Sequence, residues 1–240
     1  MDTNELSPAR GVRIAVVGTG TDVGKTHFGV ALLHALQRRG CSAVGLKPVE
    51  SGIVDGQSGS DTSKLAAVSS FHVKHPAPYR LPDPVSPHLA ARRAGVVIEL
   101  PRIVAWVSAC AAPWTIVETA GGLLSPLAPV MTNRDLVAAL TPDVVVLVGV
   151  DRLGTLHDVA ACQLALARAL PRDLDCVVVL QAPEVADAST GTNGSELVTL
   201  KMVDEVVLVP RGDAGESAVA GAMTLLLDRL IERIGSRCFT

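Results

Sequence analysis

A chain of 240 residues, 48% hydrophobic but only 2% aromatic, holds enough Val, Leu, Ala and Ile for one large α/β core without disulfide or metal staples. Its formal net charge of −3, from 21 basic and 24 acidic residues, lacks the basic footprint that nucleic-acid binding leaves. No run reaches the roughly 18 apolar residues of a membrane span, and the charged stretch 1–13 has no apolar signal core. The expectation is a cytoplasmic protein with neither nucleic acid nor membrane as partner.

Residues 13–18 (RIAVVG) read as a buried strand. Residues 24–39 then carry Phe28, Val30, Leu32, Leu33 and Leu36 at helical spacing, and Gly40 closes that helix. Further strands are read at 43–47, 114–118, 143–150 (DVVVLVGV), 175–180 and 205–210. Helices are expected over about 155–170 and over 214–234. Strands alternating with helical patterns predict an α/β fold with a doubly wound, mostly parallel sheet. One domain spans 13–235, between a flexible extension at 1–12 and a tail at 236–240. The proline-rich 76–88 and the small, polar 182–195 read as loops. In such a sheet ligands sit beyond the carboxyl ends of the strands, so functional loops follow Val17, Lys47, Val117, Val150 and Leu180. Cys41, Cys110, Cys162, Cys176 and Cys238 are odd in number, without CxxC spacing or a histidine partner, and read mostly as packing residues.

Between the first strand and first helix lies Gly18-Thr-Gly-Thr-Asp-Val-Gly24-Lys25-Thr26, where a phosphate-binding loop must fall. Small residues let backbone N–H groups point at phosphate oxygens, and the helix N-terminus adds its positive end. Lys25, taken as part of an exposed loop, can reach terminal phosphates, and the Thr26 hydroxyl can ligate magnesium. The sheet is therefore of P-loop NTPase type. The first glycine stands at Gly18, where the generic GxxxxGKS/T spacing places it at Thr19, which marks a subfamily. GKT in place of GxGxxG excludes a dinucleotide site.

Lys47, ending the second strand in KPVESG, either holds an anion in transit or is a solvated strand-end lysine. Glu118, ending the third strand before Thr-Ala-Gly121-Gly122, is either a magnesium ligand or a strand-end charge; the glycines let backbone approach a ligand. Asp61 opens a helix and is either its N-cap or a metal ligand. His88 in Ser86-Pro87-His88 either touches substrate or is a structural loop histidine. His27, His34, His72 and His75 show no metal-ligand pattern.

Together these segments resemble the dethiobiotin synthetases, the ATP-dependent carboxylases of biotin synthesis. The likeness rests on GTGTDVGKT at 18–26, KPVESG at 47–52, Asp61, DPVSPHLAA at 83–91, ETAGG at 118–122, SPL at 125–127 and VGVDRLGTLH at 148–157, in the family's order from about residue 13 to 210. It implies that carbon dioxide is captured as a carbamate on 7,8-diaminononanoate, activated by the γ-phosphoryl group of ATP, and closed into a cyclic urea by the second amine. It also implies Lys25, Lys47 and Thr21 as catalytic residues and Thr26, Asp61 and Glu118 around Mg2+. The nucleotide would be held by Thr21, Asp22, Val23, Gly24, Lys25 and Thr26, with Gln181, Pro210, Arg211 and Gly212. The diamine would meet Thr21, Lys47 and Ser51, and across a homodimer interface the loop bearing Leu153, Gly154 and His157. The chain departs from the family pattern at Gly20 (usually Asp), at Thr119 in ETAGG, at His157-Asp158 (usually Asn-His) and at Gln181 (usually Asn). The alternatives are a diverged ligase or kinase on this scaffold and a ParA/MinD-like nucleotide switch. The latter carries an additional early lysine that 19–23 lacks, and Arg229, Arg233 and Arg237 make at best a weak surface-targeting helix.

Overall fold

The computed structural model describes residues 11–53, 60–171, 174–213 and 215–237. Residues 1–10 of the expected 1–12 extension, 238–240 of the expected 236–240 tail and Cys238 lie outside them; Val12 lies in the first strand and residues 236–237 in the last helix.

Strand β1 (Val12–Gly18) alternates its side chains between two apolar layers, as a strand buried on both faces must. Ile14 and Val16 join a cluster with Phe28, Leu32 and Leu36 of helix α1 (Lys25–Arg38). Ala15 and Val17 point the other way, into a cluster with Leu123, Val137 and Val159. The chain continues through β2 (Ala43–Leu46), β3 (Val49–Ser51), α2 (Asp61–Ala67), β4 (Tyr79–Leu81), α3 (Pro87–Arg93) and α4 (Leu100–Ala109) to β5 (Trp114–Glu118). It then runs through β6 (Pro126–Ala128), β7 (Met131–Thr132), α5 (Asn133–Leu140), β8 (Val144–Val150), α6 (Thr155–Ala167), β9 (Asp175–Gln181), α7 (Asn193–Thr199), β10 (Val206–Val209) and α8 (Ser217–Arg237).

Among the described residues six strands form one parallel sheet in the order β10-β9-β8-β1-β5-β2. After β1 the chain leaves towards β2, and from β8 it leaves in the opposite direction. A crevice therefore opens over the carboxyl ends of β1 and its neighbours, where ligands bind in such sheets. No helix among the described residues is long and apolar enough to cross a membrane.

Four local expectations are corrected. The stretch 76–88 is not all loop: Tyr79–Leu81 pairs in parallel with Val49–Ser51, driven by Tyr79 and Leu81, which are almost fully buried. Pro87 and His88 belong to α3, with Pro87 at a first-turn position where its missing N–H is harmless. Likewise α7 begins at Asn193, inside the expected 182–195 loop. The helix over 155–170 stops at Ala167, with Ala169 and Leu170 N–H groups both closing on Leu166 O ahead of Pro171. The last helix starts at Ser217, after a turn in which Glu216 N–H donates to Asp213 O; residue 214 lies outside the described residues.

Candidate active site

The loop between β1 and α1 is shaped by close approach. A Cβ on Gly18 would stand 2.8 Å from the Gly20 carbonyl oxygen, and Gly24 takes φ +86°, a conformation that favours glycine. Lys25 follows as the first residue of α1. It is buried, not in an exposed loop, and its Nζ donates to the Gly20 carbonyl at 3.1 Å. Burial lowers its pKa and neighbouring Lys47 pushes the same way, against the pull of Glu118.

Lys47 comes directly after β2 and is also buried. Its ammonium donates to Asp61 Oδ2 and, at 2.7 Å, to Glu118 Oε1. Burial alone would lower the Lys47 pKa, but Glu118 and Asp61 outweigh it and hold it above the usual lysine value. Burial would raise Asp61; Lys47, helped by the Thr26 hydroxyl, outweighs that and holds it below the usual carboxylate value. Thr26 Oγ1 donates to Glu118 Oε1 at 2.9 Å. Thr26, Lys47, Asp61 and Glu118 thus converge from four separate segments. Asp61 is not the N-cap of α2: Ser60 is, accepting from Ser63 N–H, and Asp61 is left free to face Lys47.

Glu118 is almost wholly buried, and its second oxygen, Oε2, has no hydrogen-bond partner among the described residues. A buried carboxylate oxygen left without a donor is costly unless a cation or water meets it. Two carboxylates and a hydroxyl are the oxygen donors magnesium selects, so Thr26, Asp61 and Glu118 fit that ion.

Three cavities line up along the carboxyl edge of the sheet. Gly24, Lys25, Thr26, Lys47, Asp61 and Glu118 wall the central one. On one side it shares Gly24, Asp22 and His27 with a cavity closed by Gln181, Arg211 and Gly212; Pro210 is not among its lining residues. On the other side it shares Thr21, Asp22, Lys47, Asp61 and Gly121 with a cavity walled by Glu50, Ser51, Ser86 and Ser125. Leu153, Gly154 and His157 line none of these; all three are exposed, Leu153 to 79%.

Two residues that shape the site, His27 and Asn133, were not singled out from the sequence. His27 lies 3.2 Å from Gln181 Oε1 and 2.8 Å from the Gly212 carbonyl, joining α1 to both loops of the outer cavity. Gln181 also donates to Gly24 O at 3.4 Å. Asn133, fully buried, donates to the Ala120 and Gly122 carbonyls and so pins the Gly-Gly segment after Glu118. Thr119 spends its hydroxyl on Val16 O. His88 bonds Ser86 Oγ at 2.7 Å. Apart from Ser86–His88, these pairings join residues eleven or more positions apart in the chain and leave no local pattern to read. Buried Cys162 has its thiol pushed up to about 11 by burial and by Asp158, which leaves it little thiolate character.

The AAA domain family matches residues 12–214. An ATP-dependent dethiobiotin synthetase BioD of Caulobacter sp. (strain K31) is 34% identical over 231 residues, covering 93% of this chain and 96% of that one. A protein of the same name from Anaeromyxobacter sp. (strain K) is 37% identical over 199 residues, covering 81% and 88%. Among solved structures, the septum site-determining protein MinD complexed with Mg-ADP from Pyrococcus horikoshii OT3 matches with TM-score 0.57 at 16% identity, covering 92% of this chain and 96% of that one. That last likeness is one of fold.

Proposed function

The chain belongs to the ATP-dependent dethiobiotin synthetase family, and from that membership we infer that it closes a cyclic urea on 7,8-diaminononanoate with carbon dioxide and ATP, releasing ADP and phosphate. The observation that carries this reading is the position of Lys47. Its buried ammonium lies on the wall common to the central cavity and the one bearing Ser51.

In this reading the nucleotide lies along the first two cavities. Its base lies by Gln181, Arg211 and Gly212, and its phosphates over the backbone of Thr21 to Thr26, with Lys25 at the terminal phosphates. The diamine occupies the third, against Thr21 and Ser51. One amine nitrogen bonds the carbon of carbon dioxide and loses a proton to solvent. A carbamate oxygen then attacks the γ-phosphorus as ADP leaves. Finally the second amine attacks the carbamoyl carbon and loses a proton to solvent, and phosphate departs with the C–O electron pair. Lys47 faces the oxygens that carry charge through the last two steps, and a fixed ammonium in a water-poor wall stabilises such charge. Magnesium, bound with the nucleotide, supplies charge neutralisation at the phosphates; Thr26, Asp61 and Glu118 would hold it.

Leu153, Gly154 and His157 at the start of α6 stand exposed on the same chain, away from its own cavities. By the same reading they meet the substrate carboxylate of a second copy, which makes the working unit a homodimer in the cytoplasm.

The test is ADP release by the purified protein with Mg2+ and ATP. It should require the diamine and bicarbonate together, with dethiobiotin formed in equal amount. ADP release indifferent to the diamine would overturn the reading.

A further inference from the structure

We propose that Glu50 is a positioning residue for the metal site: its buried carboxylate fixes Asp61 by holding the first turn of α2. Glu50 lies in β3 and is almost wholly buried, beside the strand end that carries Lys47. Its Oε1 accepts from the Asp61 N–H at 2.6 Å, and its Oε2 from the Thr62 N–H at 3.2 Å and from the Thr62 hydroxyl. Helix N-termini leave their first N–H groups without intrahelical partners. In α2 the N-cap Ser60 serves Ser63, while Glu50, eleven positions back in the chain, serves Asp61 and Thr62.

A cap normally comes from the residue at the helix start, so a carboxylate sent from a neighbouring strand ties two elements together. Here α2 has only seven residues and buries one of them, Leu65, so packing alone holds it weakly. Glu50 is already fixed by β3 and its pairing with β4. The result is a rigid link from the Lys47 strand to the backbone of Asp61, whose side chain returns to Lys47. Both oxygens of Glu50 are engaged with α2, so its role runs through Asp61. Partners that orient a metal ligand typically change metal affinity by about 10- to 100-fold when removed.

This inference rests on Asp61 belonging to the metal site, and the experiment separates the two. Mn2+ binding to the protein–ADP complex is followed by electron paramagnetic resonance in wild type, Asp61→Ala, Glu50→Ala and Glu50→Gln. Glu50→Ala should weaken Mn2+ binding about tenfold, with Glu50→Gln, which keeps one acceptor oxygen, between it and wild type. A cap with a merely structural role would lower the melting temperature of Glu50→Ala and leave Mn2+ affinity unchanged, which overturns the proposal. Should the alanine variant not fold, Glu50→Gln decides, and binding equal to wild type overturns it. Unchanged binding in Asp61→Ala removes Asp61 from the metal site and the proposal with it. Weakened binding in Asp61→Ala but not in the Glu50 variants overturns the Glu50 inference alone.

Discussion

Lys47 Nζ lies 2.7 Å from Glu118 Oε1, and both side chains are buried. Removing one partner of such a pair strands the other charge. Lys47→Ala should therefore lower the stability of the metal-free protein, by about 3–5 kcal/mol if the site stays dry. Added Mg2+ and ADP should restore part of the loss, because the stranded carboxylate then has a cation. Turnover should fall by about 100-fold or more at saturating ATP, as when a donor to developing charge is deleted. Denaturant melts with and without Mg-ADP, alongside steady-state kinetics, check both halves.

Lys25 differs, since burial outweighs its attraction to Glu118 and lowers its pKa. An apolar replacement of similar length relieves that desolvation. Lys25→Met should melt no lower than wild type without nucleotide, because a buried charge replaced by a packed apolar group is often neutral or stabilising. ADP binding, read by calorimetry, should weaken by about tenfold or more with the loss of the charged phosphate contact.

The Asp61–Lys47 pair sets a pH dependence of stability. Asp61 titrates below its usual 3.8, so its contribution is present above that value and is lost as pH falls through the lowered pKa. Lys47 titrates above 10.5, so its contribution is present below that value and is lost as pH rises through the raised pKa. Between these limits the pair adds no slope. In metal-free protein, the stability difference between wild type and Asp61→Asn should be flat across neutral pH and shrink only in acid and in strong alkali. A difference that changed steadily between about pH 6 and 8, far from either value, would contradict the pairing.

The sheet was legible because its buried strands are aliphatic runs: 13–18 and 143–150 differ from β1 and β8 by one residue at their starts. Lys25, Thr26, Lys47 and Glu118 were legible for a topological reason, as each stands where a parallel strand ends or the next helix begins. Asp61 was less so, and the N-cap belongs to Ser60, because capping depends on which of two adjacent polar residues turns back. The β3–β4 pair escaped because three-residue strands are too short to show a period. Glu50 and His27 escaped because their partners lie eleven and more than a hundred positions away.

Asn133 offers a stability test of the Gly-Gly segment. Its side-chain N–H groups reach the Ala120 and Gly122 carbonyls at 2.6 and 2.8 Å. Asn133→Ala leaves the Ala120 carbonyl unserved, a cost of about 1–3 kcal/mol, while the Gly122 carbonyl keeps the Ser125 N–H. Backbone next to Glu118 should loosen as well. Hydrogen exchange should quicken at Gly122 and Leu123, whose N–H groups bond Ser125 Oγ and Gly18 O. Unchanged protection there would show that the segment is held by other contacts.

The proposed sharing of each site between two copies is tested by complementation. If Lys47 acts in one subunit and the Leu153–His157 loop in the other, Lys47→Ala and Gly154→Pro should each inactivate the homodimer by different routes. Gly154 carries φ +96°, which proline cannot adopt, so that change disrupts the start of α6 while leaving the cavities around Lys47 intact. Mixed after subunit exchange, half of the dimers are heterodimers. In each heterodimer one site collects both defects and the other neither. The mixture should regain about a quarter of wild-type activity, since a two-fold interface gives each dimer two equivalent sites. Sites built within one chain would give no recovery on mixing. Exchange should be verified by mass spectrometry of differently tagged subunits, so that silence reports on the site and not on slow exchange.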